Sequence, residues 1–135
     1  PDMSIFRFIQ WIDKGEKLEV FGDGAQARDF TYVSDIAEGT ILAAKKIGYE
    51  IINLGGGNRP VSISKVISII ESELGKKASV DFQDFHIADI KETWADINKA
   101  KKLLGWEPKV SLSQGISQTI SWYNDNIGMT REIRI

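Results

Sequence analysis

The chain has 135 residues, with 17 Lys and Arg against 19 Asp and Glu and no cysteine. A near-balanced charge without a dense basic run leaves little for the counterion release that drives nucleic-acid binding, and no apolar run approaches the roughly twenty residues that span a bilayer. Zero cysteines exclude disulfides and thiolate metal sites, and the length suffices to bury a core, so a cytoplasmic globular protein is expected. The sequence opens on Pro1-Asp2 and passes straight into an apolar-periodic segment, which reads as a fragment with something before it.

Asp2 is placed to cap a helix from Met3, in which Ile5, Phe8, Ile9 and Ile12 share a stripe widened by Phe6 and Trp11. Gly15 is its stop. Leu18 to Phe21 reads as a short strand, with Leu18 and Val20 on one face and Glu19 and Phe21 on the other. After the Gly22-Asp23-Gly24 turn, an extended run from Arg28 to Val33 would put Arg28 on one face with Phe30 and Tyr32, a cation beside two rings. Ser34 then reads as an N-cap. Ile36, Ala37, Thr40, Ile41, Ala44 and Ile47 form the inward stripe of its helix, which Gly48 ends.

Tyr49 to Leu54 reads as a mostly apolar strand. It runs into Gly55-Gly56-Gly57-Asn58-Arg59-Pro60, where a dinucleotide-binding G-x-G-x-x-G would need glycine at position 60, so a flexible turn is expected. Ser62 caps a helix with the stripe Ile63, Val66, Ile67, Ile70 and Leu74, closed by Gly75. Gly75-Lys76-Lys77 lacks the remainder of a P-loop. Ser79 to Phe82 reads as a strand, and Gln83 to Thr93 has no clear period. Asp96 caps a short helix with Ile97, Ala100, Leu103 and Leu104 inward and Gly105 as its stop. Trp106-Glu107-Pro108 turns the chain. Ser111 and Gln114 have capping-box spacing before a helix lined by Leu112, Ile116, Ile120, Tyr123 and Ile127. Residues 129–135 are expected to be a frayed tail.

No catalytic constellation is visible. One histidine, His86, and no cysteine leave little for a nucleophile-base pair, and Asp84, His86 and Asp89 within six irregular residues do not make a metal set. What persists is chemistry for anions and sugars. Arg28 can fork onto phosphate oxygens, the edge of the 18–21 strand offers backbone groups, and Asp89 can accept from hydroxyls.

The order of motifs resembles the C-terminal portion of the extended short-chain dehydrogenase/reductases, specifically the NAD-dependent nucleotide-sugar epimerases and dehydratases. The matching stretches are P-D-M at 1–3, V-F-G-D-G at 20–24, R-D-F-T-Y-V-S-D at 28–35, I-N-L-G at 52–55, A-D-I-K-E-T-W-A-D at 88–96 and K-A-K-K-L-L-G-W-E-P at 99–108. The resemblance implies an α/β fold of about five helices and four short strands, the substrate-binding portion of a Rossmann-type enzyme. Residues 1–128 would form the nucleotide-sugar-binding portion, with 34–54 packing on a dinucleotide-binding domain that this chain lacks.

It also implies roles. Arg28 would contact the nucleotide diphosphate, the backbone at Glu19 and Phe21 the base, and Asp89 the ribose. Many members carry an arginine where this chain has His86, which makes that phosphate contact weaker or pH-dependent. NAD would be bound by the intact enzyme and not by this fragment. Tyr32, Tyr49 and Tyr123 are followed four residues on by Ile36, Asn53 and Ile127, so none supplies the family's Tyr-x-x-x-Lys pair, and no catalytic residue is assigned. The expected partner is a UDP-sugar or another nucleotide-sugar, with a homo-oligomeric state. Two readings follow: a nucleotide-sugar-binding fragment of an epimerase or dehydratase, and a stand-alone binding module without the chemistry.

Overall fold

A computed structural model describes residues 3–46, 48–57, 59–85 and 90–132, with Arg131 and Glu132 as backbone only. The elements are α1 (Ser4–Lys14), β1 (Lys17–Phe21), β2 (Ala27–Arg28), α2 (Val33–Leu42), β3 (Val61–Ser62), α3 (Ile63–Leu74), β4 (Ser79–Gln83), β5 (Glu92–Thr93), α4 (Asn98–Leu104), α5 (Leu112–Asp125) and α6 (Ile127–Glu132). The mixed α/β architecture agrees with the expected class. The chain forms two compact units. The first comprises Pro1–Gln26, Ser62–Asp89 and Ile116–Ile135, and the second comprises Ala27–Val61 and Ile90–Gly115.

In the first unit β1 and β4 run parallel, with Leu18 opposite Val80 and Phe21 opposite Gln83. The periodic stripes meet here. Phe8, Ile9 and Ile12 of α1, Leu18 and Val20 of β1, Ile63, Val66, Ile67 and Ile70 of α3, and Ile116, Ile120 and Tyr123 of α5 are all buried. Burying side chains of this size is the main stabilising term, about 1.5–3 kcal/mol each. The expected caps hold α3: Ser62 Oγ accepts from Lys65 N–H at 3.2 Å, and Gly75 closes it in the left-handed region at φ 63°.

Polar side chains tie this unit together over long sequence distances. Tyr123 Oη donates to Asp13 Oδ2 at 3.1 Å, and Lys76 Nζ lies 2.7 Å from Asp13 Oδ1. The segment after Gly128 is not a frayed end through Glu132. It continues as α6, with Thr130 buried and its carbonyl accepting from Gln10 Nε2 at 3.0 Å. The Gln10–Thr130 bond, which lies outside the apolar period, ties it to α1. The Asp2 cap lies outside the described residues, and Met3 occupies the N-cap position of α1.

Glu71 near the end of α3 accepts from Ala78 N–H at 2.9 Å and from Lys77 Nζ at 3.0 Å. The Ala78 N–H first, and then Lys77, hold its carboxyl below the ordinary value of 4.5. A lowered folded-state pKa stabilises the fold above the unfolded value, and that contribution is lost as pH falls through the folded value. Glu71→Gln is expected to cost about 1 kcal/mol at pH 7, the net scale of one hydrogen bond. Urea unfolding from pH 7 down to pH 3 should show the gap to wild type closing.

In the second unit β2 and β5 run parallel, Ala27 opposite Glu92 and Arg28 opposite Thr93. β3, whose Val61 closes this unit, completes the order β3-β2-β5. β5 falls in the segment without a clear period, because two residues are too few to show alternation. The core gathers Ile97, Ala100, Leu104 and Trp106, with Leu42, Ile52, Leu54, Ala95 and Leu103 packed on it. Around α4 the predicted stop holds, with Gly105 at φ 67°, while Ile97 takes the N-cap position and Asp96 Oδ1 accepts from Asn98 N–H at 2.9 Å.

The sequence pattern and the structure part company at α2. The helix begins at Val33 with Tyr32 as N-cap and no side-chain cap, so Ser34 lies inside its first turn, and it ends at Leu42, ahead of Gly48. Its buried face carries Asp35 and Gly39, and Leu42 packs on the core; Ile41 is 74% exposed, and Ala37, Thr40 and Ala44 also face outward. Ile47 lies outside the described residues. The reason is the partner available. Asp35 Oδ2 accepts from Lys109 N–H at 3.2 Å and Val110 N–H at 3.0 Å, and its carbonyl accepts from Trp106 Nε1 at 2.9 Å. Gly39 makes the room, since a Cβ there would stand 2.7 Å from Leu54 and 3.0 Å from the Trp106 indole nitrogen.

Residues 49–54 are also not a strand, having no ladder partner among the described residues. They keep a strand's alternation. Ile52 and Leu54 pack on the Trp106 cluster, while Tyr49 and Ile51 are 91% and 71% exposed.

Candidate functional site

The predicted site residues divide between the two units. In the first, Glu19 and Phe21 lie on the exposed face of β1, opposite Leu18 and Val20. The ladder also fixes where their backbone groups point. Gly22 N–H donates to Gln83 O at 2.9 Å, so residues 18, 20 and 22 direct their amide groups at β4. Glu19 and Phe21 direct theirs at the opposite edge, because successive residues of a strand alternate. Among the described residues no strand pairs with that edge. Of its groups, the Phe21 carbonyl accepts from Gln26 Nε2 at 2.6 Å.

In the second unit Arg28 stands at the end of β2. The extended run stops there, and residues 29–32 lead irregularly into α2, so the alternation expected through Phe30 and Tyr32 does not continue. The Arg28 guanidinium bonds to backbone carbonyls. Its Nη1 donates to Ile90 O at 2.7 Å and to Ala27 O at 2.9 Å. Such carbonyl anchors restrict a long, flexible side chain to fewer orientations. His86 and Asp89 lie outside the described residues.

The glycine run proves to be packed, not a flexible turn. A Cβ at Gly56 would collide with the Asp29 carboxylate and stand 2.7 Å from Phe30 O, and one at Gly55 would collide with the Ala95 side chain. Asp29 Oδ2 accepts from Ala95 N–H at 3.2 Å, so this carboxylate bonds the start of α4's loop while the glycines close around it. The run is followed by β3, not by a helix, and its space is filled by Asp29. These residues do not fit a dinucleotide pyrophosphate, which needs a glycine turn opening onto a helix N-terminus.

Beside the glycines lies a cleft of about 320 Å³, lined among others by Asp29, Phe30, Arg59, Pro108 and Lys109. Lys109 is engaged by Glu38, 2.6 Å away, whose carboxylate holds the ammonium above its ordinary value. The sequence pattern did not mark this cleft, since its walls come from three separate stretches of the chain, 29–30, 56–61 and 108–112. Among the described residues no helix is long and apolar enough to cross a membrane, and no three His, Asp or Glu are grouped to hold a metal ion.

Comparison with known proteins decides the family. The profile described as GDP-mannose 4,6 dehydratase matches residues 1–119. The chain belongs to this family of the extended short-chain dehydrogenase/reductases. It is 56% identical over all 135 residues to UDP-glucuronate 4-epimerase of Thermodesulfobacterium geofontis (strain OPF15), covering 42% of that protein. Among solved structures it is similar to UDP-glucuronic acid 4-epimerase from Bacillus cereus in complex with UDP-glucuronic acid and NAD, with TM-score 0.85, 41% identity, and coverage of 93% of this chain and 40% of that one. MoeE5 in complex with UDP-glucuronic acid and NAD gives TM-score 0.88 at 33% identity, covering 93% of this chain and 42% of that one. The chain thus spans about two fifths of the length of these relatives.

Proposed function

We propose that this chain is the nucleotide-sugar-binding C-terminal portion of an NAD-dependent UDP-sugar 4-epimerase, with UDP-glucuronate as the first substrate to test. The observation that carries the reading is the 56% identity to a UDP-glucuronate 4-epimerase along the entire chain. Residues 1–128 hold the nucleotide: Arg28 grips the diphosphate, the backbone of Glu19 and Phe21 meets the base, Asp89 meets the ribose, and His86 stands where relatives place a second cation. NAD, when bound by the remainder of the enzyme, supplies hydride chemistry at the sugar. This chain contributes position, holding the nucleotide so that the hexose is presented in one orientation. The outward apolar face of α2 and the ladder-free segment 49–54 support packing against a dinucleotide-binding half. The intact enzyme is read as a cytoplasmic homo-oligomer.

The test is turnover. Full-length protein supplied with NAD and UDP-glucuronate is expected to yield its C4 epimer, UDP-galacturonate, detected by proton NMR, while residues 1–135 alone yield none under the same conditions. Absence of C4 exchange by the full-length protein with UDP-glucuronate, UDP-glucose and UDP-N-acetylglucosamine alike would overturn the reading.

A further inference from the structure

Beside Arg28 the pairing of β2 with β5 is carried on by a side chain. The two strands pair over only two residues each, Ala27 opposite Glu92 and Arg28 opposite Thr93. Upstream, Ala27 N–H extends the ladder by donating to Lys91 O at 2.8 Å. Downstream, Ala95 N–H is the next amide to face β2, since alternate residues of a parallel strand direct their amides to the same neighbour. In a longer ladder it would donate to the Asp29 carbonyl. Here the Asp29 carboxylate takes the bond, Oδ2 accepting at 3.2 Å. Asp29 thereby ties the two segments together beyond the point where the strands end.

Two glycines form the seat of this carboxylate. A Cβ at Gly56 would collide with it, and a Cβ at Gly55 would collide with the Ala95 side chain, so both partners of the bond lie against the 55–56 backbone. The seat fixes where the carboxylate stands, and through Ala95 N–H it fixes the exit of β5. The approach to β5 holds Arg28: the carbonyl of Ile90, which precedes the strand, accepts from Arg28 Nη1 at 2.7 Å. β5 is well short of the usual strand length, so the bonds beyond its ends decide how firmly that carbonyl is held. A carboxylate repels phosphate, so any benefit of Asp29 to a diphosphate passes through the position of Arg28 and not through contact.

We infer that Asp29 is a positioning residue for Arg28: its carboxylate, seated against Gly56, ties the exit of β5 to the end of β2 and so keeps the Ile90 carbonyl where the guanidinium is anchored. The inference rests on the nucleotide-sugar reading above, in which Arg28 grips the diphosphate, and extends it to a residue that touches no ligand. Without the tie Arg28 keeps its charge but samples more rotamers, and the entropy of ordering them is lost on binding.

A double-mutant cycle on the full-length protein tests this, with UDP affinity read by calorimetry. Asp29→Ala is expected to weaken UDP binding about three- to tenfold, a part of the loss expected for removing Arg28 itself. In the Arg28→Ala background the same substitution should change the affinity by less than about twofold, because the group it positions is gone. Asp29→Asn keeps an acceptor for Ala95 N–H without the charge and should bind UDP within about twofold of wild type. Gly56→Ala leaves the carboxylate but takes its seat, and should repeat the Asp29→Ala pattern in both backgrounds; it carries the cycle if Asp29→Ala does not fold. Wild-type affinity in Asp29→Ala, an equal loss with and without Arg28, or Asp29→Asn binding as weakly as Asp29→Ala overturns the proposal. Absence of UDP binding by wild type, or undiminished binding by Arg28→Ala, sinks the nucleotide-sugar reading, and this inference with it.

Discussion

Trp106→Ala is expected to destabilise the chain by about 3–5 kcal/mol, the range for deleting a large buried aromatic. Against a total stability of about 5–15 kcal/mol this is a large share. The indole is 1% exposed and sits in the core of the second unit among Ile97, Ala100 and Leu104, with Leu42, Ile52 and Leu54 packed on that core. It also donates its one polar hydrogen to Asp35 O at 2.9 Å. Truncation therefore opens a cavity and removes the ring that Gly39 is shaped to receive. Trp106→Phe separates the two contributions. It keeps most of the apolar volume and loses the hydrogen bond, so a cost nearer 1–2 kcal/mol is expected, on the order of a lost buried hydrogen bond with a small volume change. Urea unfolding of the three proteins measures both. Equal midpoints for wild type and Trp106→Ala would show that the second unit does not depend on this core.

Arg28→Ala is expected to weaken UDP binding by about 1.5–3 kcal/mol, the scale of hydrogen bonds to a charged group, which is roughly ten- to a hundredfold. A guanidinium matches phosphate oxygens bidentately and is charged at every accessible pH. Its anchoring to the carbonyls of Ala27 and Ile90 adds a second expectation. Arg28→Lys keeps the charge but cannot reproduce the fork, so it should recover only part of the affinity. Asp89→Ala, which would remove a contact to a neutral hydroxyl, should cost less than Arg28→Ala. Calorimetry with UDP on the full-length protein distinguishes these outcomes. Wild-type affinity in Arg28→Ala would return Arg28 to being an ordinary charge at a strand end.

The features legible in the sequence are those whose causes lie within a few residues. Ser62 caps α3 because its hydroxyl reaches an amide three positions on, and Ser111 with Gln114 forms a reciprocal cap, Gln114 Oε1 accepting from Ser111 N–H at 3.0 Å and Ser111 Oγ from Gln114 N–H at 3.3 Å. Gly15, Gly75 and Gly105 end their helices because a left-handed residue is needed there and glycine takes that conformation at least cost. The apolar periods of α1, α3 and α5 likewise found the core of the first unit, since each stripe is a property of its own helix. The motif order placed the chain in its family, and the alternation of β1 put Glu19 and Phe21 on its exposed face.

Tertiary structure decided whatever depends on residues far apart in the chain. The apolar stripe of α2 marked one face, but the Asp35 and Gly39 face is buried, because Lys109, Val110 and Trp106 supply its hydrogen bonds from more than seventy residues away. The glycine run at 55–57 looked like a loose turn until Asp29, brought in from β2's end, filled the space a side chain would need at Gly56 and Ala95 the space at Gly55. Tyr49 to Leu54 has the pattern of a strand and no neighbour to pair with among the described residues, and a strand exists only through its ladder. Gln26 carried no signal at all. Its bond to the Phe21 carbonyl spans five residues around a glycine turn, and only the path of that turn and the parallel register of β1 with β4 reveal which edge it reaches.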